Sequence, residues 1–439
     1  MRAICLTLPT NRPCAGTITA LGQEAAYAAE HFGVEVHLLV LDSCDEPVRA
    51  EHAAALGRLS PRPDVVVHHL DEAAQRDFLQ RVIERSGVPK PDLMLDLMLP
   101  AEVSYGACTN RAFLIASALG CDSVHRRDSD SDYQLLDGDP VYPVHHELLS
   151  LGKRAVDAVP HVTRTLLDPA DVYKPVAMVG SSFVGELSVD IGEIRDLDPA
   201  VYYEVVGLWA EAGASEQERR ELVDESFVGA GTEPFTHDES TLGEPDIWRV
   251  DMCNIGLDHE VYERVPLPPA TRTIGSDYFL LHLVRDATLP GVVHNRNIVN
   301  YYTPERRTGA GFTAYQLRFT KFLLSMLYLY PVYTAMEKAR GALLDEHHHV
   351  RAAAIAELVA AAAGTDRTEN VRRLDVLDRS YRQLGGKYAE FADHLVPLRE
   401  RLLDEAQADT EEFALLIEAW GPLVAAARSE SPDRGADHA

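Results

Sequence analysis

Aspartates alternate with serines in the segment Asp128-Ser129-Asp130-Ser131-Asp132, which follows a short predicted strand. Hard divalent cations prefer oxygen ligands, and Mg²⁺ or Mn²⁺ typically takes one or two carboxylates while substrate phosphates fill other positions. Asp128 and Asp130 are therefore candidate metal ligands. A solvated turn is the alternative interpretation, because Asp and Ser both favour loops.

The sequence that precedes this segment alternates between short apolar runs and longer amphipathic runs. This pattern is typical of β-α-β units and a parallel sheet, which would position the segment. The pattern predicts strands at 3–9, 34–41, 65–68, 93–97 and 122–127 and helices at 18–31, 47–59, 72–86 and 105–119. Because ligands bind beyond the carboxyl ends of the strands in such sheets, we expect the site in the loops that follow them.

The pattern loosens after residue 137, where Gly and Pro become frequent, and then resumes. It predicts strands at 176–179, 247–253 and 291–298 and helices at 146–158, 216–227 and 278–285. The helix at 216–227 should begin with a capping box, because Ser215 precedes Glu218 by three residues.

Beyond Gly311, long runs of Ala, Leu, Arg and Glu predict four or five helices up to Arg428. We therefore expect an α/β domain at 1–310, a helical domain at 311–428 and a disordered tail at 429–439. The apolar segment Phe322 to Met336 contains Pro331. It falls short of the roughly 20 uninterrupted apolar residues that a membrane span needs, so we expect a buried helix.

The 439 residues carry a net charge of −28, which argues against nucleic-acid binding because that is driven by Lys and Arg neutralising phosphates. The six cysteines are scattered without a C-x-x-C pair, as expected for buried thiols in a reducing compartment. The first core strand begins almost at Met1, with no signal peptide ahead of it, so we expect a cytoplasmic protein.

Several loops, in order, resemble those of the GT-A glycosyltransferases. The loop after their first strand is similar to Leu8-Pro9-Thr10-Asn11-Arg12-Pro13 of this chain. The end of their second strand is similar to Leu41-Asp42-Ser43-Cys44-Asp45. The segment from Ser104 to Arg111, followed by Gly120, a strand and a D-x-D triplet, resembles their central block. The resemblance covers roughly residues 1–305 and is one of pattern. It implies a GT-A (Rossmann-like), mostly parallel sheet flanked by helices.

The resemblance also implies roles for individual residues. Asp128 and Asp130 would hold Mn²⁺ or Mg²⁺, with His294 as a third ligand, and Asp42 would bind the base. Further contacts to the nucleotide sugar are implied for Thr10, Asn11, Arg12, Gly106, Asn110, Arg111, Arg127 and Ser129. The pair Arg126-Arg127 departs from the usual apolar residues before the triplet; these arginines either reach the diphosphate or only pair with nearby aspartates.

Asp277 stands at the position where GT-A enzymes often place the general base of an inverting reaction. An aspartate ahead of an apolar helical run is also a good N-cap, and both interpretations stay open. A single histidine on a strand, such as His294, is in most proteins structural.

The sequence thus predicts a metal-dependent glycosyltransferase that moves a sugar from a UDP- or GDP-sugar to a soluble small-molecule acceptor, for example in secondary-metabolite biosynthesis. We expect no nucleic acid and no membrane span, and a homodimer is compatible with the sequence. One alternative is a nucleotidyltransferase, which would normally carry a glycine-rich loop after the first strand. Another is a catalytically silent GT-A-like scaffold.

Overall fold

The computed structural model describes residues 2–187, 191–227 and 229–432. Its strands are β1 Ala3–Thr10, β2 Glu35–Asp42, β3 Val65–Asp71, β4 Ser123–Arg127, β5 Ser131–Tyr133, β6 Leu135–Leu136, β7 Asp139–Pro140, β8 Arg164–Thr165, β9 Met178–Gly180, β10 Phe183–Gly185, β11 Ser240–Gly243, β12 Asn254–Asp258, β13 Gly291–His294 and β14 Ile298–Asn300.

Its α-helices are α1 Ala15–Phe32, α2 Glu46–Leu56, α3 Glu72–Ser86, α4 Pro91–Met98, α5 Tyr105–Ala118, α6 Val144–Ser150, α7 Ala155–Ala158, α8 Gly192–Leu197, α9 Pro199–Val206, α10 Glu216–Glu225, α11 His259–Tyr262, α12 Phe279–Asp286, α13 Gly309–Ala339, α14 Ala352–Ala362, α15 Thr368–Leu384, α16 Gly386–Leu395 and α17 Arg399–Ala427. The capping box at Ser215 and Glu218 is present at the start of α10.

A nine-stranded sheet in the order β3-β2-β1-β4-β12-β9-β13-β11-β8 organises the chain. Strands β1 to β4 are parallel, and β12 runs antiparallel between β4 and β9. The pairs β9–β13 and β8–β11 are parallel, and β11 is antiparallel to β13. The expected fold class is confirmed: a mostly parallel sheet flanked by helices, followed by a helical region.

Alternate side chains of β1 enter the cores on the two faces of the sheet, as the period of two in a strand requires. Ile4 and Leu6 pack on the side of α1 and α2, whereas Cys5 belongs to a larger core on the other side. That larger core continues from α3, α4 and α5 into α13 to α17. The C-terminal helices therefore share one core with the sheet; for example, Trp420 Nε1 donates a hydrogen bond to the Tyr262 carbonyl at 2.7 Å.

The apolar segment from Phe322 to Met336 lies within helix α13 and is mostly buried, as predicted. No helix in the described ranges combines the length and apolarity that a membrane crossing requires. Of the expected tail, residues 433–439 lie outside the described residues. Glu430, near its start, is buried and accepts hydrogen bonds from Arg81 and Arg85.

The strand predicted at 93–97 is wrong, because this segment lies in helix α4. Pro91 and the acidic Asp92 occupy its first turn, where both residue types favour a helix. A short apolar run does not by itself distinguish a strand from a buried helix. The strand predicted at 247–253 is also misplaced: a 3₁₀ turn occupies 247–249, and β12 begins at Asn254.

Two longer predicted elements are interrupted. The helix expected at 146–158 is split into α6 and α7, with Gly152 between them at a φ of 74°, a left-handed conformation that ends helices. The strand expected at 291–298 ends at His294 and resumes as β14, which pairs with β5 and β10 in a separate three-stranded sheet. That small sheet holds the chain directly after Asp130.

Candidate functional site

A cleft of about 210 Å³ opens beyond the carboxyl ends of β1, β2 and β4, the expected place for a ligand in an open α/β sheet. Its walls come from the β1–α1 loop, the start of α3, the loop between α4 and α5, and the first turns of α5. Four arginines and four carboxylates line it: Arg12, Arg111, Arg126, Arg306, Glu72, Glu102, Asp128 and Asp130. Thr10, Asn11 and Ser129, all predicted site residues, line it as well.

Asp128 and Asp130 each face an arginine in this cleft. Asp130 Oδ2 accepts hydrogen bonds from Arg12 Nη1 at 3.0 Å and from Arg306 Nη2 at 2.7 Å. Asp128 Oδ1 accepts one from Arg126 Nη2 at 3.1 Å. Within the described residues, the second oxygen of each carboxylate accepts no side-chain or backbone hydrogen bond. Carboxylate oxygens are the ligand type that a hard divalent cation prefers, and Mg²⁺ usually takes one or two of them beside substrate phosphates.

The electrostatics around Asp128 favour a cation in the same way. Burial raises the pKa of Asp128 to about 6; the guanidinium of Arg126 opposes this shift, and the carboxylates of Asp130, Asp251 and Asp277 add to it. A positive ion beside Asp128 would offset both the desolvation and the repulsion between these carboxylates.

Arg126 and Arg127 are neighbours on β4, and successive side chains of a strand point to opposite faces of the sheet. Arg126 lines the cleft, whereas Arg127 is buried on the other face, where Glu24 accepts two of its hydrogen bonds and Glu147 a third. The arginine that borders the cleft is thus Arg126, which the resemblance did not single out. The period of two along the strand was the signal that could have identified it.

Two arginines of the cleft keep buried N–H groups without a partner in the described part of the chain. These groups are Arg126 Nε and Arg306 Nη1. An unsatisfied buried donor costs roughly 1–3 kcal/mol, and more when it is charged. Phosphate oxygens would satisfy both donors, because guanidinium groups bind them through charge-assisted hydrogen bonds.

Gly106 and Asn110 join α5 to a neighbouring loop. A Cβ on Gly106 would lie 1.9 Å from the carbonyl oxygen of Pro268, so only glycine admits this close approach. The Asn110 side chain exchanges two hydrogen bonds, each 2.8 Å, with the backbone of Leu267. Neither residue lines the cleft, so their observed contacts are structural. Arg111 lines it, with Nε and Nη1 bonded to Gln75 and to the Met98 carbonyl.

Asp42 lies beneath the cleft rather than in its wall, and its side chain is fully buried. Its Oδ2 is 2.8 Å from His52 Nδ1 and 2.9 Å from His69 Nε2, and its Oδ1 accepts a hydrogen bond from the Cys44 amide. Burial raises the pKa of Asp42, but the hydrogen bonds from His69 and His52 outweigh it, and the net shift is downward.

Asp277 and His294 are both buried outside the lining of the cleft. Asp277 lies directly behind it, with Oδ2 accepting a short hydrogen bond from Arg126 Nη1. The His294 ring stacks on His146 at 5.0 Å, and its Nδ1 accepts a hydrogen bond from the Arg296 amide. The catalytic role predicted for Asp277 and the metal-ligand role predicted for His294 stay predictions.

Fold and cleft together define an α/β protein with a charged site at the carboxyl ends of its parallel strands. The chain belongs to a family of unknown function, DUF6271, whose profile matches residues 2–435. No curated protein sequence matches it significantly.

Several solved structures are similar to the chain at low identity. A glucosyl-3-phosphoglycerate synthase from Mycobacterium tuberculosis, in complex with Mn²⁺, UDP and phosphoglyceric acid, is 15% identical with a TM-score of 0.33; the match covers 72% of this chain and 78% of that one. Core-mannan synthase A from Aspergillus fumigatus, in an Mn/GDP form, is 7% identical with a TM-score of 0.23; the match covers 65% and 64%. Similarity at this level carries no argument about activity.

Proposed function

We propose that the chain is a metal-dependent glycosyltransferase that takes a sugar from a nucleoside diphosphate sugar and passes it to a soluble small-molecule acceptor. The observation that carries the proposal is the cleft itself. Carboxylate oxygens of Asp128 and Asp130 and unpartnered guanidinium donors of Arg126 and Arg306 lie together at the carboxyl ends of parallel strands. A diphosphate with its divalent cation complements both sets of groups.

Asp128 and Asp130 would hold the cation through their remaining oxygens. When bound, Mn²⁺ or Mg²⁺ supplies positive charge that stabilises the departing diphosphate. Arg12 and Arg306, now hydrogen-bonded to Asp130, are placed to turn part of their donor capacity toward phosphate oxygens. Guanidinium groups therefore adjoin both aspartates: Arg126 contacts Asp128, and Arg12 and Arg306 contact Asp130.

Arg126 is the residue we assign to the diphosphate in place of Arg127. Asp277 fixes the Arg126 guanidinium from behind, so we assign Asp277 a positioning role. Thr10 and Asn11, at the end of β1, are the proposed contacts for the nucleoside, and Ser129 lies between the two metal-binding aspartates. An acceptor hydroxyl would attack the anomeric carbon from the solvent side of the cleft.

Calorimetric titration tests the proposal with UDP and GDP as probes, each with and without Mn²⁺ or Mg²⁺. We expect binding of at least one diphosphate that depends on the cation and is lost in Asp128→Ala. The exposed Asp132, which does not line the cleft, gives the matched control Asp132→Ala. Absence of cation-dependent binding by the wild-type chain would overturn the proposal. A nucleotidyltransferase would instead release pyrophosphate from a nucleoside triphosphate and a sugar phosphate.

A further inference from the structure

A second group of metal-binding residue types lies beneath the floor of the cleft, and we call it the thiol–histidine cluster. Its centre is formed by Asp42, Cys44 and His52, whose ligand atoms all lie within 4.8 Å of one another. It is the one such group of three that the described residues contain. Two further donors adjoin it: His69 Nε2 is 2.9 Å from Asp42 Oδ2, and Cys14 Sγ is 3.6 Å from His52 Nε2.

The fold brings these residues together from separate stretches of the chain. Asp42 ends β2, Cys44 follows in the next loop, and His52 lies on α2, which returns over that strand end. His69 lies on β3, the parallel neighbour of β2. The cluster is therefore built on one strand end and the elements that directly adjoin it, a rigid setting for a ligand set.

The donor types select the class of metal. Thiolate, imidazole and carboxylate together form the usual ligand set of Zn²⁺, whereas Mg²⁺ and Ca²⁺ prefer oxygen alone. The Asp42 and His52 side chains are fully buried, and Cys44 is 7% exposed. A closed, mixed-donor site is typical of structural zinc.

The spacing of the donor atoms is close to that of a zinc site. With Zn–S bonds of about 2.3 Å and Zn–N bonds of about 2.0 Å, tetrahedral ligand atoms lie roughly 3.3–3.8 Å apart. The ligand atoms lie within 4.8 Å of one another, at most about 1 Å beyond that range, and Asp42 Oδ2 and His52 Nδ1 are held 2.8 Å apart by a hydrogen bond that an ion would replace.

We propose that the thiol–histidine cluster binds one Zn²⁺ ion through Cys44 Sγ, His52 Nδ1 and Asp42 Oδ2, with His69 as the nearest candidate for the fourth position. The Cys14 amide donates to His52 Nε2 at 3.0 Å, so the ring proton of neutral His52 is now on Nδ1, which donates it to Asp42 Oδ2. When Nδ1 binds the metal, its proton moves to Nε2 and the Cys14 amide gives up its hydrogen bond to Nε2, while the Cys44 thiol releases its proton to solvent. This site is separate from the aspartates of the cleft. Asp42 would then stabilise the floor of the cleft and would not bind the base of a nucleotide.

Cobalt titration of the full-length, chelator-treated chain tests the proposal, because Co²⁺ adopts zinc geometries and absorbs strongly when bound to thiolate. We expect one equivalent of Co²⁺ to give thiolate-to-metal absorption that Zn²⁺ then abolishes. The Cys44→Ser variant should lose this absorption and bind Zn²⁺ at least about 100-fold more weakly. A matched control is Cys121→Ser, another buried cysteine outside the cluster; it should keep the absorption.

Two further measurements keep the outcome decisive. X-ray absorption of the zinc-loaded wild-type chain needs no variant and should show one sulfur ligand among nitrogen and oxygen ligands. The double variant Asp128→Ala/Asp130→Ala should retain the cobalt signal, which separates this site from the proposed catalytic one. The proposal is overturned if the wild-type chain binds no stoichiometric Zn²⁺, if its zinc has no sulfur ligand, or if the Cys44→Ser variant keeps the thiolate absorption. The cluster would then be a metal-free hydrogen-bond network.

Discussion

Arg126 and Asp277 form a buried ion pair directly behind the candidate metal ligand Asp128. The same guanidinium reaches Asp128 at 3.1 Å and retains an unpartnered Nε within the described residues. Burial lowers the pKa of Arg126, but the carboxylates of Asp128 and Asp277 outweigh it, so the pKa is raised well above its ordinary value. A permanent positive charge is therefore fixed at the deep end of the cleft.

Replacing Arg126 by lysine should weaken diphosphate binding about tenfold while the chain stays folded. Lysine keeps the charge opposite Asp277 but lacks the planar fork and the Nε donor. Calorimetry with the tighter-binding nucleoside diphosphate measures the change. Unaltered affinity in a folded Arg126→Lys variant would remove this arginine from the proposed site.

Replacing Arg127 by alanine should instead reduce stability. Arg127 is buried between Glu24 and Glu147, and its loss leaves two buried carboxylates without their cation, which costs about 3–5 kcal/mol. Denaturant unfolding measures the free energy of unfolding. A loss of nucleotide affinity in Arg127→Ala with unchanged stability would show that Arg127 contacts the ligand.

The variant Asp277→Asn separates the two roles considered for this residue. As a positioning residue for Arg126, Asp277 should affect diphosphate affinity as well as turnover. A general base would leave the binding of UDP or GDP unchanged and abolish only the transfer step. Calorimetry followed by a transfer assay makes the distinction, and unchanged affinity together with lost turnover would contradict the positioning role.

Gly106→Ala should destabilise the chain by at least about 2 kcal/mol, because the added methyl group meets the Pro268 carbonyl and forces a backbone shift. The control Gly16→Ala lies in α1, where nothing stands within 4 Å of the new carbon. It should be neutral or stabilise by about 0.5–1 kcal/mol. Thermal or denaturant unfolding compares the two variants, and equal stabilities would contradict the close approach.

His259 provides a pH-dependent test of the fold. The hydrogen bond to Glu260 raises the pKa of His259 to about 9; burial opposes the shift, and Asp258 adds to it. The protonated histidine therefore stabilises the fold fully below its unfolded pKa of about 6.5, and this contribution is lost as the pH rises to about 9. His259→Gln should flatten the stability curve in that interval. A wild-type curve without this slope would contradict the ion pair.

The sequence predicts the early part of the fold well, because strands β1 to β4 and helices α1, α2, α3 and α5 have strong and distinct periodicities. It fails at α4, where five apolar residues among eight fit a strand as well as a buried helix. The site is predicted in part for a similar reason. The order of the motifs predicts that Asp128, Asp130 and Arg12 lie in one cleft, because each follows a parallel strand and the carboxyl ends of these strands share one edge of the sheet.

The contacts that the sequence does not predict join stretches that are far apart along the chain. Arg306 reaches Asp130 across 176 positions, and Arg126 meets Asp277 across 151. Asp42 is hydrogen-bonded to His52 and His69 and does not line the cleft. These two histidines come close to Asp42 only when β2, β3 and α2 pack together. Such distances cannot be read from local patterns.

A crystal structure of the chain with Mn²⁺ and the nucleoside diphosphate that binds it most tightly tests the central claim most directly. The account predicts an anomalous manganese signal bonded to Asp128 and Asp130, with phosphate oxygens beside Arg126 and Arg306. The account would be contradicted if manganese or the diphosphate bound elsewhere in the molecule while the cleft stayed empty and kept its ion pairs.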